Sequence, residues 1–200
     1  MPRALGQIDA RKHQAILDAA AEVLAERGLT SPIEEVARRA GVSKQTIYNH
    51  YGSKTELVRT LVDRRRSLVA AAITEAPPDQ STADTLASYA LTIINVVSSP
   101  ASVQLVRMAI TGSRDMPELA QAIYDAGARA TNRDLVAYLT TRPELDLPNP
   151  ARAADVFMGM VLGRMQTRLL MGLEGYEPDQ ARDRAREAAG RFVRAYRRSD

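Results

Sequence analysis

The chain has 200 residues, a net charge of +3 and a hydrophobic fraction of 45%, which is typical of a globular protein with a buried core. The absence of cysteine excludes disulfides, thiol catalysis and Cys-ligated metal centres. With His13 and His50 as the only histidines, we expect neither a metal site nor a cofactor. No apolar run reaches the roughly 18 residues of a membrane span, and no apolar signal core opens the chain, so we expect a cytoplasmic protein.

Positive charge is concentrated near the N-terminus. Residues 1–66 carry a balance of +4, whereas the remainder carries −1. All three lysines (Lys12, Lys44 and Lys54) lie in the first part. Such a basic segment favours a partner that carries phosphates. An excess of this size also occurs on ordinary solvated helices, so charge alone leaves both interpretations open.

The sequence predicts an all-α protein. Ala, Leu, Arg and Glu are abundant, whereas tryptophan is absent and only two phenylalanines occur. Gly28 is expected to end the first helix, while Ser31 and Ser53, each followed by a glutamate three residues later, are expected to cap the second and fourth. The predicted helices span residues 9–27, 32–40, 44–50, 54–76, 82–97, 101–112, 117–140, 150–172 and 178–197.

Residues 31–51 have the spacing of a helix-turn-helix motif. Two short helices flank the turn Ala40-Gly41-Val42, in which Gly41 can adopt a positive φ without a Cβ penalty. Polar side chains on the second helix of the motif suit contacts with phosphates and base edges. A helical hairpin with a solvated polar face is the alternative. The absence of acidic residues between Lys44 and Lys54 favours DNA binding.

The segment from Val36 to Leu57, which reads VARRAGVSKQTIYNHYGSKTEL, resembles the DNA-binding domain of TetR/AcrR transcriptional regulators. The likeness covers about residues 10–60, although the loop after Gly28 is about one residue short and contains Pro32. Later helices are similar to AefR-like C-terminal domains of that family, above all at residues 117–124. The resemblance implies a helix-turn-helix DNA-binding domain over residues 1–56. A long fourth helix would join it to a helical ligand-binding and dimerisation domain over residues 57–200.

The resemblance also implies roles for individual residues. The start of the recognition helix would read base edges in the major groove, its later polar residues would contact phosphates, and Lys54 would meet a phosphate at a helix N-terminus. Tyr51 would pack inward. Arg3, Arg11 and Lys12 would form either a basic arm or a solvated N-terminus. The predicted DNA contacts are Ser31, Ser43, Lys44, Gln45, Thr46, Tyr48, Asn49, His50 and Lys54.

The partners implied are double-stranded DNA with a palindromic operator, a second copy of the chain and a small-molecule effector. The last two predicted helices, including Gly159-x-x-x-Gly163, are the candidates for the dimer contact. Helices in the middle of the chain would surround the effector, although Met and aromatic residues there also suit a plain core. The predicted lining residues are Tyr89, Ile93, Gln104, Arg107, Met108, Tyr124, Phe157 and Gln166.

The sequence thus predicts a ligand-responsive, sequence-specific transcriptional regulator, a repressor released from its operator by an inducer. An enzyme is the first alternative, but the chain has no phosphate-binding loop, nucleophile elbow or zinc-binding helix signature. A helical interaction module that has lost DNA binding is the second. Substituting Lys44 and Tyr48 separates it from a regulator.

Overall fold

A computed structural model describes residues 10–28, 30–173 and 177–198, and it confirms the all-α fold. Within these residues, extended pairing is limited to an isolated bridge between Leu145 and Arg197. The helices are α1 (Ala10–Arg27), α2 (Ile33–Ala40), α3 (Lys44–Tyr51), α4 (Lys54–Thr74), α5 (Thr82–Ser98), α6 (Pro100–Thr111), α7 (Pro117–Tyr124), α8 (Ala130–Thr140), α9 (Pro150–Leu162), α10 (Met165–Met171) and α11 (Pro178–Ala195).

Two of the predicted helix boundaries are confirmed by their local hydrogen bonds. Gly28 ends α1 with φ +82°, and its amide donates to the carbonyl of Leu24 at 3.0 Å. The hydroxyl of Ser53 accepts from the amide of Glu56 at 3.1 Å and so caps α4. Glycine therefore stops the first helix, and a serine cap starts the fourth, for the physical reasons that the sequence suggested.

The predicted cap of α2 is wrong. Pro32 occupies the N-cap position, with no side-chain hydrogen bond to the helix. The hydroxyl of Ser31 instead donates to the carbonyl of Gly28 at 2.7 Å, and Ser31 is buried. The preceding turn folds back on itself, so the serine hydroxyl closes that turn and is not available to the helix.

Two long predicted helices are each divided. The segment predicted over 117–140 is helical throughout, but Asp125–Arg129 forms a π-helical turn between α7 and α8. The segment predicted over 150–172 breaks at Gly163, which adopts φ 47° and ψ −133°. That conformation is accessible to glycine and strained for other residues, so Gly163 separates α9 from α10.

The chain forms two compact units. The first contains the described residues up to Arg64 together with Pro100–Ala126, and the second contains Arg65–Ser99 and the described residues from Gly127 onward. The division by contacts falls within α4, whereas the division expected from the sequence falls at residues 56 and 57 and stays a prediction.

Each unit has its own apolar core. In the first unit, Ile16, Val23, Ile47 and Leu57 are among the buried residues that bring α1, α3 and α4 together. In the second unit, the rings of Phe157 and Phe192 meet edge to face with centroids 5.1 Å apart. The second core also includes Tyr89, Ile93, Leu135, Leu139 and Ala185.

No single helix in the described residues is long and apolar enough to cross a membrane. Only α5 and α6, counted together across the bend that separates them, satisfy a criterion based on length and composition.

Candidate nucleic-acid interface

The turn between α2 and α3 is built around Gly41. Its φ of 65° lies in the left-handed region, and the amide of Val42 donates to the carbonyl of Ala37 at 3.0 Å. Ser43 then caps α3, since its hydroxyl accepts from the amide of Thr46 at 3.0 Å. The left-handed glycine, followed by the serine cap, therefore sets the direction of α3 after a connection of only three residues.

One side of α3 is buried and the other is displayed. Ile47 and Tyr51, one turn apart, pack into the core of the first unit. Thr46 is half-buried, and the exposed remainder consists of polar or amphipathic side chains. Those exposed residues are Lys44, Gln45, Tyr48, Asn49 and His50. The structure therefore brings most of the predicted DNA contacts onto one face, named here the α3 face (residues 44, 45, 46, 48, 49 and 50).

Hydrogen bonds within the α3 face orient its side chains. The amide of Gln45 donates to the side-chain oxygen of Asn49 at 2.6 Å, and the hydroxyls of Ser43 and Thr46 lie 2.8 Å apart. The ammonium of Lys44 lies 5.7 Å from the ring centroid of Tyr48. Several donors, acceptors and an aromatic ring are thus placed together on a surface about two helical turns long.

The sequence did not reveal the partner of Lys44. Its ammonium lies 2.5 Å from a carboxylate oxygen of Glu34, in the first turn of α2. This hydrogen bond raises the pKa of Lys44 and lowers the pKa of Glu34. No local pattern signals the pair, because the two residues are ten positions apart and meet only when the turn is folded. A DNA contact by Lys44, as predicted from the resemblance, requires it to exchange this carboxylate for a phosphate or base.

Lys54 and Ser31, two of the predicted DNA contacts, both make hydrogen bonds within the protein. The ammonium of Lys54 donates to the backbone carbonyl of Ser31, and burial lowers the pKa of Lys54. The Ser31 hydroxyl is the buried group bonded to Gly28 described above. A phosphate contact by either residue, as predicted from the resemblance, requires these internal bonds to be exchanged.

His13 connects α1 to the end of the α3 face. Its Nδ1 lies 3.2 Å from Nε2 of His50 and 3.0 Å from the hydroxyl of Tyr51. Burial lowers the pKa of His13, and the nearby His50 and Arg64 lower it further. Burial raises the pKa of Tyr51 to about 12, and its inward position is confirmed. Arg11 and Lys12 are exposed on the first turn of α1, whereas Arg3 lies outside the described residues.

The lowered pKa of His13 predicts that acidification destabilises the protein between about pH 7.5 and pH 5.5. Because the unfolded histidine titrates near its ordinary value of 6.5 and the folded one titrates below it, the unfolded state binds more protons in this window. We expect the free energy of unfolding, measured with urea, to decrease as the pH is lowered. The His13→Asn variant should show a weaker dependence on pH. The carboxylates whose pKa is lowered, such as Glu26, titrate below 4.5 and do not contribute. A wild-type profile that is flat across this window contradicts the prediction.

The predicted effector-lining residues are divided between the two units. Tyr89, Ile93 and Phe157 are fully buried in the second core, and the hydroxyl of Tyr89 donates to the carbonyl of Thr131 at 3.0 Å. Gln166 is half-buried in the same unit. In the first unit, Gln104 and Tyr124 are exposed, while Arg107 and Met108 are half-buried. Their role in binding an effector stays a prediction.

Comparison with known proteins decides the family. The model of the bacterial regulatory proteins of the tetR family matches residues 16–61, which include α2, the turn and α3. The model of the AefR-like transcriptional repressor C-terminal domain matches residues 84–198, more than half of the chain. The chain belongs to the TetR family of transcriptional regulators. It is therefore a DNA-binding protein that regulates transcription, and α3 is the second helix of its helix-turn-helix motif.

Relatives of this TetR-family regulator are themselves transcriptional regulators. The HTH-type transcriptional repressor LfrR of Mycolicibacterium smegmatis is 31% identical over 154 residues, which cover 76% of each chain. The HTH-type transcriptional regulator SrpR of Pseudomonas putida is 25% identical over 158 residues, or 75% of this chain and 71% of the relative.

Solved structures show that the same fold extends over nearly the whole regulator. A TetR-family protein from Mesorhizobium loti has a TM-score of 0.79 and 24% identity, and the match covers 94% of this chain and 98% of that chain. The flavonoid-responsive regulator FrrA has a TM-score of 0.73 and 24% identity, with coverage of 96% and 100%.

Proposed function

We propose that this regulator is a homodimeric, cytoplasmic repressor that binds a palindromic operator and is released from it by a small-molecule inducer. The α3 face is the observation that carries the proposal. It displays one cation, one phenol ring and two amides, which are groups suited to contact base edges and phosphates. The opposite side of the helix is buried and holds these groups in place. A single recognition helix covers few base pairs, so specificity requires a second copy.

An exposed apolar patch on α9 supports a contact between two copies. Val156 and Met160 lie one turn apart and each is 37% exposed, so together they form a small apolar patch on one side of α9. Gly159 lies between them, and nothing in the described residues lies within 4 Å of a Cβ placed there. On α11, in contrast, Ala188, Ala189 and Phe192 pack into the unit's own core and are not available to a partner. The proposed dimer contact is therefore centred on α9.

Induction is proposed to work by differential binding. An effector weakens operator binding only if it binds the DNA-free conformation more tightly than the DNA-bound one, typically with a coupling of about 1–3 kcal/mol. Because α4 runs continuously from Lys54, beside the recognition helix, into the second unit, it is the element that would transmit the change.

Selection of genomic DNA fragments by the purified protein, followed by sequencing, tests the proposal. We expect the selected fragments to share an inverted repeat whose half-sites lie about 10 base pairs, or a multiple of this, apart from centre to centre. Affinity for that site should fall steeply with salt, by about three orders of magnitude between 50 and 200 mM for six or more phosphate contacts. A protein that retains no fragment at low salt, or whose affinity does not respond to salt, overturns the proposal.

A further inference from the structure

The second unit contains a cavity of about 430 Å³, between the end of α5, the helix α10 and the start of α11. This volume is within the range of small-molecule binding sites. None of the eight residues predicted to line an effector pocket contributes to it. The cavity therefore needs its own explanation.

Part of the cavity wall is apolar. Ile94 is fully buried, and Leu169 is nearly so. Leu173, at the rim, is 64% exposed. The apolar residues of the wall are Ile94, Met165, Leu169, Leu173 and Ala181. Such a wall favours a ligand with a hydrocarbon body, because burying apolar surface drives association.

The polar part of the wall is positively charged. Among the described residues, it contains Arg164, Arg168 and Arg184 against a single carboxylate, that of Glu177. A guanidinium presents a fork of donors that matches a carboxylate in geometry and charge.

Two of these arginines lack a partner among the described residues, whereas some arginines of α11 are paired. Within the described part of the chain, neither Arg164 nor Arg184 makes an ion pair or a side-chain hydrogen bond. Arg182, two positions before Arg184, pairs with Asp179 at 2.8 Å, and Arg191 pairs with Glu187 at 2.6 Å. Arg186 and Arg194 on α11 likewise make no ion pair among the described residues, so what distinguishes Arg164 and Arg184 is their place in the cavity wall.

The hydroxyl of Ser98 is an independent indication that the cavity binds a polar group. Ser98 lines the cavity, and its side-chain oxygen is shielded from solvent and makes no hydrogen bond among the described residues. Thr92 on the same helix donates to the carbonyl of Ser88, one turn earlier, at 2.9 Å. The helix therefore offers a standard internal acceptor that Ser98 does not use. Buried polar groups without a partner are rare, and a bound ligand is one way to supply it.

We propose that this cavity binds a small molecule with an apolar body and one carboxylate. Arg164 and Arg184 hold the carboxylate, the apolar wall covers the body, and rotation of the Ser98 side chain turns its hydroxyl toward the ligand. The inference rests on the proposed effector-responsive function and specifies the chemical class of the inducer. It also places the inducer at α5, α10 and α11, away from Tyr89, Ile93 and Phe157.

Calorimetry with two anions and their neutral isosteres tests this site in the full chain. We expect octanoate and 2-naphthoate to bind once per chain, and octanamide and 2-naphthamide to bind at least about tenfold more weakly, because they lack the charge that the arginines recognise. The two acids distinguish an aliphatic from an aromatic body. If neither acid binds more tightly than its amide, the proposal is wrong.

Three variants test the residues. Replacing Arg164 and Arg184 together by alanine should weaken binding of the preferred acid by about 100-fold, whereas replacing Arg182 and Arg191, which do not line the cavity, should leave it unchanged. Glu177→Gln removes the opposing carboxylate and should tighten binding by about two- to threefold. This gain of affinity cannot result from a damaged fold. Equal loss in both double variants, or no gain in Glu177→Gln, overturns the assignment.

A gel-shift assay on a selected operator separates failure of this site from failure of the proposed function. If the protein binds the operator but no acid binds the cavity, the ligand assignment fails and the DNA-binding function stands. If an acid binds with the expected variant pattern but does not release DNA, the site stands and its role in induction fails. If no operator is bound at all, the proposed function fails whatever the calorimetry shows.

Discussion

Replacing Lys44 and Tyr48 together by alanine is expected to lower operator affinity by about 100-fold or more while leaving the unfolding temperature unchanged. Both residues lie on the α3 face, and their side chains contribute little to the core beneath it. The loss should arise from removing a cation and an aromatic ring from the surface that is proposed to enter the major groove. Fluorescence anisotropy with a labelled operator measures the affinity, and circular dichroism measures the unfolding temperature.

Two further variants test whether the position of the charge matters. Arg182→Ala removes a positive charge from α11, outside the segment that contains the helix-turn-helix motif, and should change operator affinity by less than about twofold. Glu34→Gln should act in the opposite direction to Lys44→Ala. It releases Lys44 from its ion pair and removes a carboxylate beside the α3 face, so we expect affinity to rise by about two- to fivefold. Weaker binding by Glu34→Gln would show that the pair positions Lys44 for DNA.

The helix-turn-helix motif could be predicted from the sequence because its determinants are local. Gly41 sets the turn through its own φ, and Ser43 caps the helix that begins at the next residue. The alternation of Ile47 and Tyr51 with polar residues then decides which side of α3 is buried. Each of these effects operates within about one helical turn, so a linear reading captures it.

The features that the sequence did not reveal depend on tertiary contacts. Glu34 and Lys44 meet only across the folded turn, and His13 reaches His50 from another helix. Apolar periodicity on α11 correctly marked a packed face, but periodicity cannot tell a protein's own core from a second copy. The break at Gly163 was missed for a related reason, since a glycine within a helical pattern is tolerated unless tertiary packing favours another conformation.

The packing of Phe192 distinguishes the core of one chain from a contact between two copies. We expect Phe192→Ala to lower the free energy of unfolding by about 3–5 kcal/mol, a large part of the stability of a typical domain. Phe192 is fully buried, and its ring meets Phe157 edge to face at 5.1 Å and the ring of Tyr196 at 4.7 Å. Truncation leaves a cavity that neighbouring rings cannot fill without moving.

Urea unfolding at a fixed protein concentration measures this loss, because the proposed dimerisation would make apparent stability depend on concentration. The matched control is Arg191→Ala on the exposed side of α11, for which we expect a change within about 0.5 kcal/mol. Because Phe192 lies within the core of one chain, Phe192→Ala should lower the stability of monomers at high dilution as much as that of dimers. If the loss occurs only at concentrations where dimers form, Phe192 belongs to the contact between copies, and α11 and not α9 forms its centre.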